Sequence, residues 1–324
     1  MKRYIGIDIG GTKCAVVLGD EEGRILEKVR FDTTGVDETL SRILDETALM
    51  KEKNPDVVSV GISCGSPLDP VRGIIQSPPN LPGWDNIEIV RMIKERTGLD
   101  ALLCNDANAC ALAEYKFGAG AVHRKDHNTD NMVFLTFGTG LGAGIIIGGK
   151  LYNGANGNAG EIGHVRLSRF GPVGYGKQGS AEGFASGGGI AQLAKTEASV
   201  LLQQGKSCAY CRSYAELDTV TAKSVAMAAE AGDETAKKVY ELSGEMLGRA
   251  LSILVDVLNP DLIVIGSIYQ RSAHLLADSM NRVMKEECLP FSLEAVRVVP
   301  AELAENLGDI AALSLAIAAE EERK

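Results

Sequence analysis

The chain is short of aromatic residues, short of bases relative to acids, and without a long apolar run. Aromatics make up 5% of its 324 residues, with a single Trp, so a core must be built mainly from aliphatic side chains. Lys and Arg total 33 against 43 Asp and Glu, a formal net charge of −10. A general nucleic-acid binder needs a basic face to neutralise phosphates, and this balance argues against one. It does not exclude an anionic small molecule, because backbone N–H groups and a bound metal make a local site for one. No stretch reaches 18 apolar residues, so no membrane span is expected. Cysteine is sparse, odd in number at seven and scattered, which is not a disulfide framework. The strand-like run Tyr4-Ile5-Gly6-Ile7-Asp8 follows the first residues with no signal-peptide pattern ahead of it. A reducing, cytoplasmic compartment is the expectation.

Glycine is what the chain has in quantity, at 37 residues, beside an ordinary 45% of hydrophobic residues. That combination favours an α/β architecture with many tight turns, and the length favours two domains. A repeat supports the division. Residues 4–18 read YIGIDIGGTKCAVVL and residues 132–147 read MVFLTFGTGLGAGIII: apolar strand, Gly/Thr turn, apolar strand. Two such units predict two similar α/β domains. The polar stretch from Gly118 to Asn131, with His123, Arg124, Lys125, Asp126 and His127, reads as a linker or surface loop between them.

Elsewhere helices and strands alternate. Helical spacing covers Asp37 to Lys53, Ile87 to Thr97 with Gly98 as its stop, and Ala107 to Phe117 before Gly118. Met246 to Leu258 puts Leu247, Leu251, Leu254, Val255 and Leu258 on one face and ends at Asn259-Pro260. Strands are expected at Val57 to Ile62, Ala101 to Cys104 and Leu262 to Gly266, and a last helix from Gly308 to Arg323.

The chemistry begins at Asp8-Ile9-Gly10-Gly11-Thr12-Lys13. Adjacent glycines between strands let the backbone approach a ligand without Cβ interference, although any hairpin accommodates Gly-Gly. Exposed N–H groups, the Thr12 hydroxyl and the Lys13 ammonium suit phosphate oxygens, and Asp8 would hold Mg2+ directly or through water. The second turn, Gly138-Thr139-Gly140-Leu141-Gly142, supplies a partner, so that the two turns together would hold one polyphosphate. Neither a Walker-type loop nor a dinucleotide fingerprint is present.

At Asn105-Asp106-Ala107-Asn108-Ala109 a strand gives way to a helix. Asp106 is either an N-cap or a general base for a sugar hydroxyl, a poor nucleophile that a carboxylate can align and deprotonate. Asn105 beside it offers donor and acceptor atoms to another hydroxyl. In the Gly-rich run 154–164, Glu161 and His164 would grip neighbouring hydroxyls or bind a metal; Glu182 stands in a similar setting. Cys208 and Cys211 form a lone CxxC and read as incidental thiols.

Together these motifs resemble the ROK family (repressor, open reading frame, kinase), and specifically its sugar-kinase branch. The likeness runs in order through Asp8-Ile9-Gly10-Gly11-Thr12-Lys13, Pro79-Asn80-Leu81-Pro82-Gly83-Trp84, Asn105-Asp106-Ala107-Asn108-Ala109, Gly138-Thr139-Gly140-Leu141-Gly142 and Ala159-Gly160-Glu161-Ile162-Gly163-His164. It implies an actin/hexokinase-like ATPase fold of two α/β domains around a cleft that closes over the sugar. The C-terminal helix would return to the first domain, giving residues 1–118 with about 306–324, and 119–305 for the second. It implies Asp106 as catalytic base, Asn80, Asn105, Glu161, His164 and Glu182 as ligands of sugar hydroxyls, and a homo-oligomer, commonly a dimer. ATP and Mg2+ would be held by Asp8, Gly10, Gly11, Thr12, Lys13, Gly138, Thr139 and Gly140, with Gly266 near adenosine. Glucose is the expected acceptor, most plainly at its 6-OH, with allose, mannose, fructose and N-acetylhexosamines as alternatives.

Three departures stand out. Where the family carries CxCGxxGCxE, this chain has Val173, Tyr175 and Ser180 in place of the thiolates, so no structural zinc is expected and apolar packing should replace it. Ser66 stands in the Gly65-Ser66-Pro67 loop where the family has Pro-Gly, adding a hydroxyl on the sugar side. Gly266-Ser267-Ile268-Tyr269 replaces a Gly-rich turn, and Tyr269 would stack on the base or cover the strand end. A sugar-responsive repressor would need a helix-turn-helix before the first strand, where Met1 to Arg3 stand. An actin-like ATPase switch would share the phosphate turns but have no use for the hydroxyl-binding set.

Overall fold

The computed structural model describes residues 2–321. The chain divides into two compact units, Met1–Asp130 with Gly144–Ala159 and Glu302–Lys324, and Asn131–Ala143 with Gly160–Ala301.

In the first unit β1 (Arg3–Ile9), β2 (Lys13–Asp20) and β3 (Ile25–Asp32) form an antiparallel meander, followed by α1 (Val36–Lys53) and β4 (Val57–Cys64). A small hairpin of β5 (Leu68–Asp69) and β6 (Ile74–Ile75) precedes α2 (Ile89–Thr97), β7 (Ala101–Asn105), α3 (Asp106–Phe117) and α4 (Ala119–His123). The sheet order is β3-β2-β1-β4-β7, with β4 parallel to both β1 and β7. Strand alternation sorts the side chains. Ile5, Ile7 and Ile9 of β1 join Val16, Leu18, Ile62, Ile43, Met50 and Ile93 in one apolar cluster, which seats α1 and α2 on that face.

On the other face Tyr4 packs with Leu313, Ala316 and Ile317 of the C-terminal helix, Leu307–Glu321. Gly6 and Gly61 lie opposite each other across β1 and β4. A Cβ on Gly61 would come within 2.1 Å of the Ala312 carbonyl oxygen, and one on Gly6 within 2.7 Å of the Leu313 nitrogen. The glycine pair is a slot in which the backbone of an Ala-rich helix rests directly on the sheet. Ser59 locks it by donating to the Ala316 carbonyl at 2.7 Å. This seating aims the helix N-terminus at the end of β1, where Asp8 stands. The Arg323 end expected for this helix lies outside the described residues.

The second sheet contains β8 (Met132–Phe137), β9 (Leu141–Ile147), β10 (Lys150–Leu151), β13 (Leu262–Ile265) and β14 (Arg297–Pro300) in the order β10-β9-β8-β13-β14. Between β10 and β13 come the hairpin β11 (Val173–Gly174) and β12 (Lys177–Gln178), then α5 (Ala181–Phe184), α6 (Gly187–Gln203), α7 (Ala222–Glu230) and α8 (Glu234–Leu258). The helices α9 (Ile268–Glu287) and α10 (Pro290–Ala295) separate β13 from β14. The core of this unit joins Val133, Leu135, Ile263 and Ile265 of the sheet to Leu247, Leu251 and Leu276 of the long helices.

Three elements differ from the sequence reading. The α2 helix starts after Ile87, because Ile87 is taken by a bridge to Ile75. The expected helix at Met246 is the second half of α8, whose true start is capped by Asp233 accepting from Ala236 N–H at 2.9 Å. Part of the expected linker is the helix α4. There the buried Glu114 carboxylate accepts from the backbone N–H groups of Ala119 at 2.8 Å and Leu303 at 2.9 Å.

Candidate active site

Within the first unit, the tip of β1 and the N-termini of α3 and the C-terminal helix come together. Asn105, not Asp106, caps α3: its Oδ1 accepts from Asn108 N–H at 2.7 Å. Asp106 is thereby displaced into the first turn, where one oxygen accepts from Ala107 N–H at 2.8 Å and the residue stays open to solvent. Protein packed around it displaces part of its hydration shell and raises its carboxyl above the usual carboxylate range, against the pull of that N–H. Asn105 is thus the N-cap of α3, and Asp106 is a carboxylate in the helix's first turn.

Asp8 is crowded more severely. A Cβ on Gly308 would lie 2.8 Å from its Oδ2, so Asp8 meets the first turn of the C-terminal helix, next to Asp309. Burial, then Asp309, then Asp106 push its carboxyl up to about 6, opposed by Lys28 and Arg30. Lys28 is paired with Asp309. Asp309 and Asp106 both repel a charge on Asp8, and a divalent cation there would relieve that repulsion. Among the described residues no three His, Cys, Asp or Glu side chains gather into a metal cage.

The Gly10-Gly11-Thr12-Lys13 turn closes with Gly10 N–H donating to the Lys13 carbonyl at 3.1 Å, and Thr33 donates to the Gly10 carbonyl at 2.6 Å. Gly11, Thr12 and Lys13 are exposed. A Cβ on Gly11 would be 2.4 Å from the Asn80 carbonyl oxygen, and one on Gly65 would be 3.3 Å from Asn80 Oδ1. Asn80 is therefore lodged against both the Gly10–Lys13 turn and the loop that carries Ser66, and the nearby Leu81 and Trp84 are buried. Asp8, Gly10, Gly11, Thr12, Lys13, Ser66, Asn80, Asn105 and Asp106 all belong to this unit. Burial pushes the thiols of Cys64 and Cys110 well up, so neither offers a thiolate at neutral pH.

The second unit holds Gly138, Thr139, Gly140, Glu161, His164, Glu182 and Gly266. Its Gly138–Leu141 turn is anchored from beneath: Gly187 N–H donates to the Gly138 carbonyl at 2.8 Å, and Glu182 Oε2 accepts from Leu141 N–H at 3.0 Å. A Cβ on Gly163 would sit 2.0 Å from the Leu141 carbonyl oxygen, so the segment carrying Glu161 and His164 lies flat on the start of β9. Both of those side chains belong to exposed residues. Beside the turn opens a cavity of about 750 Å³, lined by Gly138, Thr139, Gly188, Lys223, Ser267 and Arg271 among others. That volume is in the range of small-molecule sites.

One of two alternatives is decided, that for Tyr269, and one expectation is corrected, that of apolar packing at the thiolate positions. Tyr269 is buried in the core of this unit and covers the strand end; it is not part of the cavity lining. Gly266 is likewise buried, against Phe134, and Ser267 is the residue that reaches the cavity. Apolar packing does not stand where the family's thiolates would be. Val173 and Tyr175 are exposed, and the hairpin is held by polar contacts. Gln192 bonds both the N–H and the carbonyl of Val173, at 3.0 and 2.9 Å. Ser180 caps α5 by accepting from Gly183 N–H at 3.2 Å. The sequence reading missed Gly187, Gly188, Lys223, Ser267 and Arg271. The run Ser186-Gly187-Gly188-Gly189 was the available signal: an N-cap before glycines marks a close backbone approach. Cys208 and Cys211 close a tight turn on each other's backbone, N to O at 3.2 and 3.3 Å.

The model of the ROK family matches residues 4–319. The chain is 31% identical to a glucokinase of Thermotoga maritima over 317 residues, 97% of this chain and 96% of that one. It is 33% identical to an N-acetylmannosamine kinase of Escherichia coli O157:H7 over 264 residues, 81% of each. Among solved structures it is similar to a ROK family glucokinase from Streptomyces griseus in complex with glucose and AMPPNP (TM-score 0.74, 31% identity, 97% of this chain and 99% of that one). It is also similar to a ROK family transcriptional regulator, a homologue of the Escherichia coli MLC protein (TM-score 0.81, 26% identity, 97% of this chain and 78% of that one). These likenesses carry the actin/hexokinase-like two-domain fold with them. By sequence, motif order and structure together, the chain belongs to the ROK family.

Proposed function

We propose that this chain is an ATP-dependent sugar kinase that phosphorylates a hexose hydroxyl, with glucose at its 6-OH as the first candidate. The observation that carries the reading is Asp106: Asn105 takes over the helix cap, leaving an accessible carboxylate with a raised pKa beside Asp8. Near-full-length similarity to glucokinases supports ATP as donor.

The sugar hydroxyl hydrogen-bonds to Asp106, which aligns it and accepts its proton as the oxygen bonds to the γ-phosphorus. The bond from that phosphorus to its bridging oxygen breaks in line, and ADP leaves. No phospho-enzyme is formed. The turns at Gly10–Lys13 and Gly138–Gly140 present N–H groups, the Thr12 and Thr139 hydroxyls and the Lys13 ammonium to the phosphates. Asp8 is placed to hold Mg2+, directly or through water, and Mg2+ supplies charge neutralisation at the β- and γ-phosphates when bound. Asn80, Asn105, Glu161, His164 and Glu182 take the other sugar hydroxyls, with Ser66 tuning the choice among glucose, mannose, allose, fructose and N-acetylhexosamines. The cavity beside Ser267 takes the nucleoside. No zinc is part of this reading, since of the family's ligands only His164 is present. A cytoplasmic homodimer completes it.

The test is ADP release with Mg-ATP across a panel of these sugars, with the product's phosphate position read by phosphorus–proton coupling. Rapid turnover with one sugar is expected. Turnover indifferent to every sugar would favour an ATPase switch, and sugar binding without ATP turnover would favour a sugar-responsive regulator, the second reading that the similarity to a ROK transcriptional regulator makes concrete.

A further inference from the structure

The Gly138–Leu141 turn owes its shape to a side chain 41 positions along the chain. Glu182 opens the short helix α5, capped by Ser180, and sends Oε2 to the Leu141 N–H at 3.0 Å. A Cβ on Gly140 would lie 2.5 Å from that same oxygen, so the carboxylate also fills the space under the turn. The Glu182 stem is fixed from two further sides. Cβ atoms on Gly174 and Gly163 would come within 2.8 and 3.4 Å of the Glu182 Cβ. The carboxylate therefore has little freedom to swing away. On the other side of the turn, Gly187 and Gly188 N–H groups hold the carbonyls of Gly138 and Thr139. The turn is pinned through its carbonyls at one end and its Leu141 N–H at the other, with the exposed Thr139 lining the 750 Å³ cavity.

We infer that Glu182 is a positioning residue for phosphoryl transfer: by holding Leu141 N–H it pre-shapes the turn that receives the nucleotide's phosphates. The inference rests on the nucleotide reading given above and goes beyond it, because it assigns Glu182 to the phosphate side as well as to the sugar side. A negative charge placed directly under a phosphate-binding turn is electrostatically unfavourable for the phosphates. Its geometric effect on the turn must outweigh that repulsion for it to favour phosphate binding. Preorganised N–H groups bind a polyphosphate without first paying to order the loop.

The experiment compares Mg-ADP and adenosine binding, by calorimetry or competition, in the wild-type protein, Glu182→Ala and Glu182→Gln. Adenosine would take the cavity proposed above for the nucleoside and lacks the phosphates. The expected result is an ADP affinity at least about ten-fold lower in Glu182→Ala, the loss expected for a hydrogen bond to a charged group, with adenosine affinity unchanged. Glu182→Gln keeps an acceptor oxygen and should restore ADP affinity to within about three-fold of wild type. If Glu182→Ala binds ADP as wild type does, or loses ADP and adenosine together, the positioning role is wrong, although the nucleotide site stands. If wild-type protein binds neither compound, the nucleotide reading fails and takes this inference with it.

Discussion

Replacing Asp8 by Asn should stabilise the ligand-free protein at neutral pH, even though it removes a residue placed at the centre of the proposed site. Burial and the neighbouring Asp309 and Asp106 raise the Asp8 carboxyl from 3.8 to about 6. Between those values the folded protein keeps a proton that the unfolded chain has released. The contribution of Asp8 to stability is thus most favourable below about pH 4 and is lost as pH rises through 6. The difference between 3.8 and about 6 corresponds to roughly 3 kcal/mol at pH 7 as an upper bound. For a chain of this length, with an unfolding entropy of about 2.1 cal/mol/K per residue, that is about 4 °C in melting temperature. Asn has nearly the same shape and no charge to lose. Melting followed by scanning calorimetry from pH 4 to 8 should show the variant's advantage opening between about pH 4 and 6 and staying flat above. Adding Mg-ADP should reverse the order, because only the wild type gains a carboxylate ligand for the cation. A variant that is less stable than wild type by the same margin at every pH would refute the electrostatic reasoning.

Other outcomes follow from single contacts. Gly61→Ala places a methyl 2.1 Å from the Ala312 carbonyl oxygen and should cost about 1–3 kcal/mol by overpacking, seen as a lower urea midpoint with an unchanged slope. Asn105→Ala removes the α3 cap and should cost about 1 kcal/mol. It should also lower kcat, because Asp106 rides on that first turn. Trp84, the sole Trp, is buried near Asn80, so titration with the substrate sugar should change its emission, and Asn80→Ala should weaken that response.

The sequence and the structure meet most closely where periodicity and turn chemistry are local. The two Gly/Thr hairpins, the strand before Asn105 and the Gly98 and Asn259 helix stops are readable because each is decided by neighbours in the chain. The cap at Asn105-Asp106 was not, since both residue types cap helices and only the backbone's approach angle chooses between them. The Gly6–Gly61 slot was hidden for another reason. Each glycine alone reads as a weakness in a strand, and its purpose emerges only when the distant C-terminal helix lies on both. Glu182 is the same case in the site: its bond to Leu141 spans distant segments, so sequence placed it with the sugar ligands alone. Tyr269 stayed open between two roles because an aromatic after a strand end serves a core as readily as a ligand, and here the core of the second unit took it.

The central claim is that Asp106 accepts the proton of a sugar hydroxyl during direct transfer from ATP. The measurement that tests it most directly is steady-state kinetics of Asp106→Asn beside the wild type, with Mg-ATP and the sugar that the panel selects. The account predicts kcat lower by about 10²- to 10⁴-fold, the usual worth of a general base, with the sugar and ATP KM values changed only a few-fold. An Asp106→Asn protein that turns over sugar at close to the wild-type kcat would contradict it.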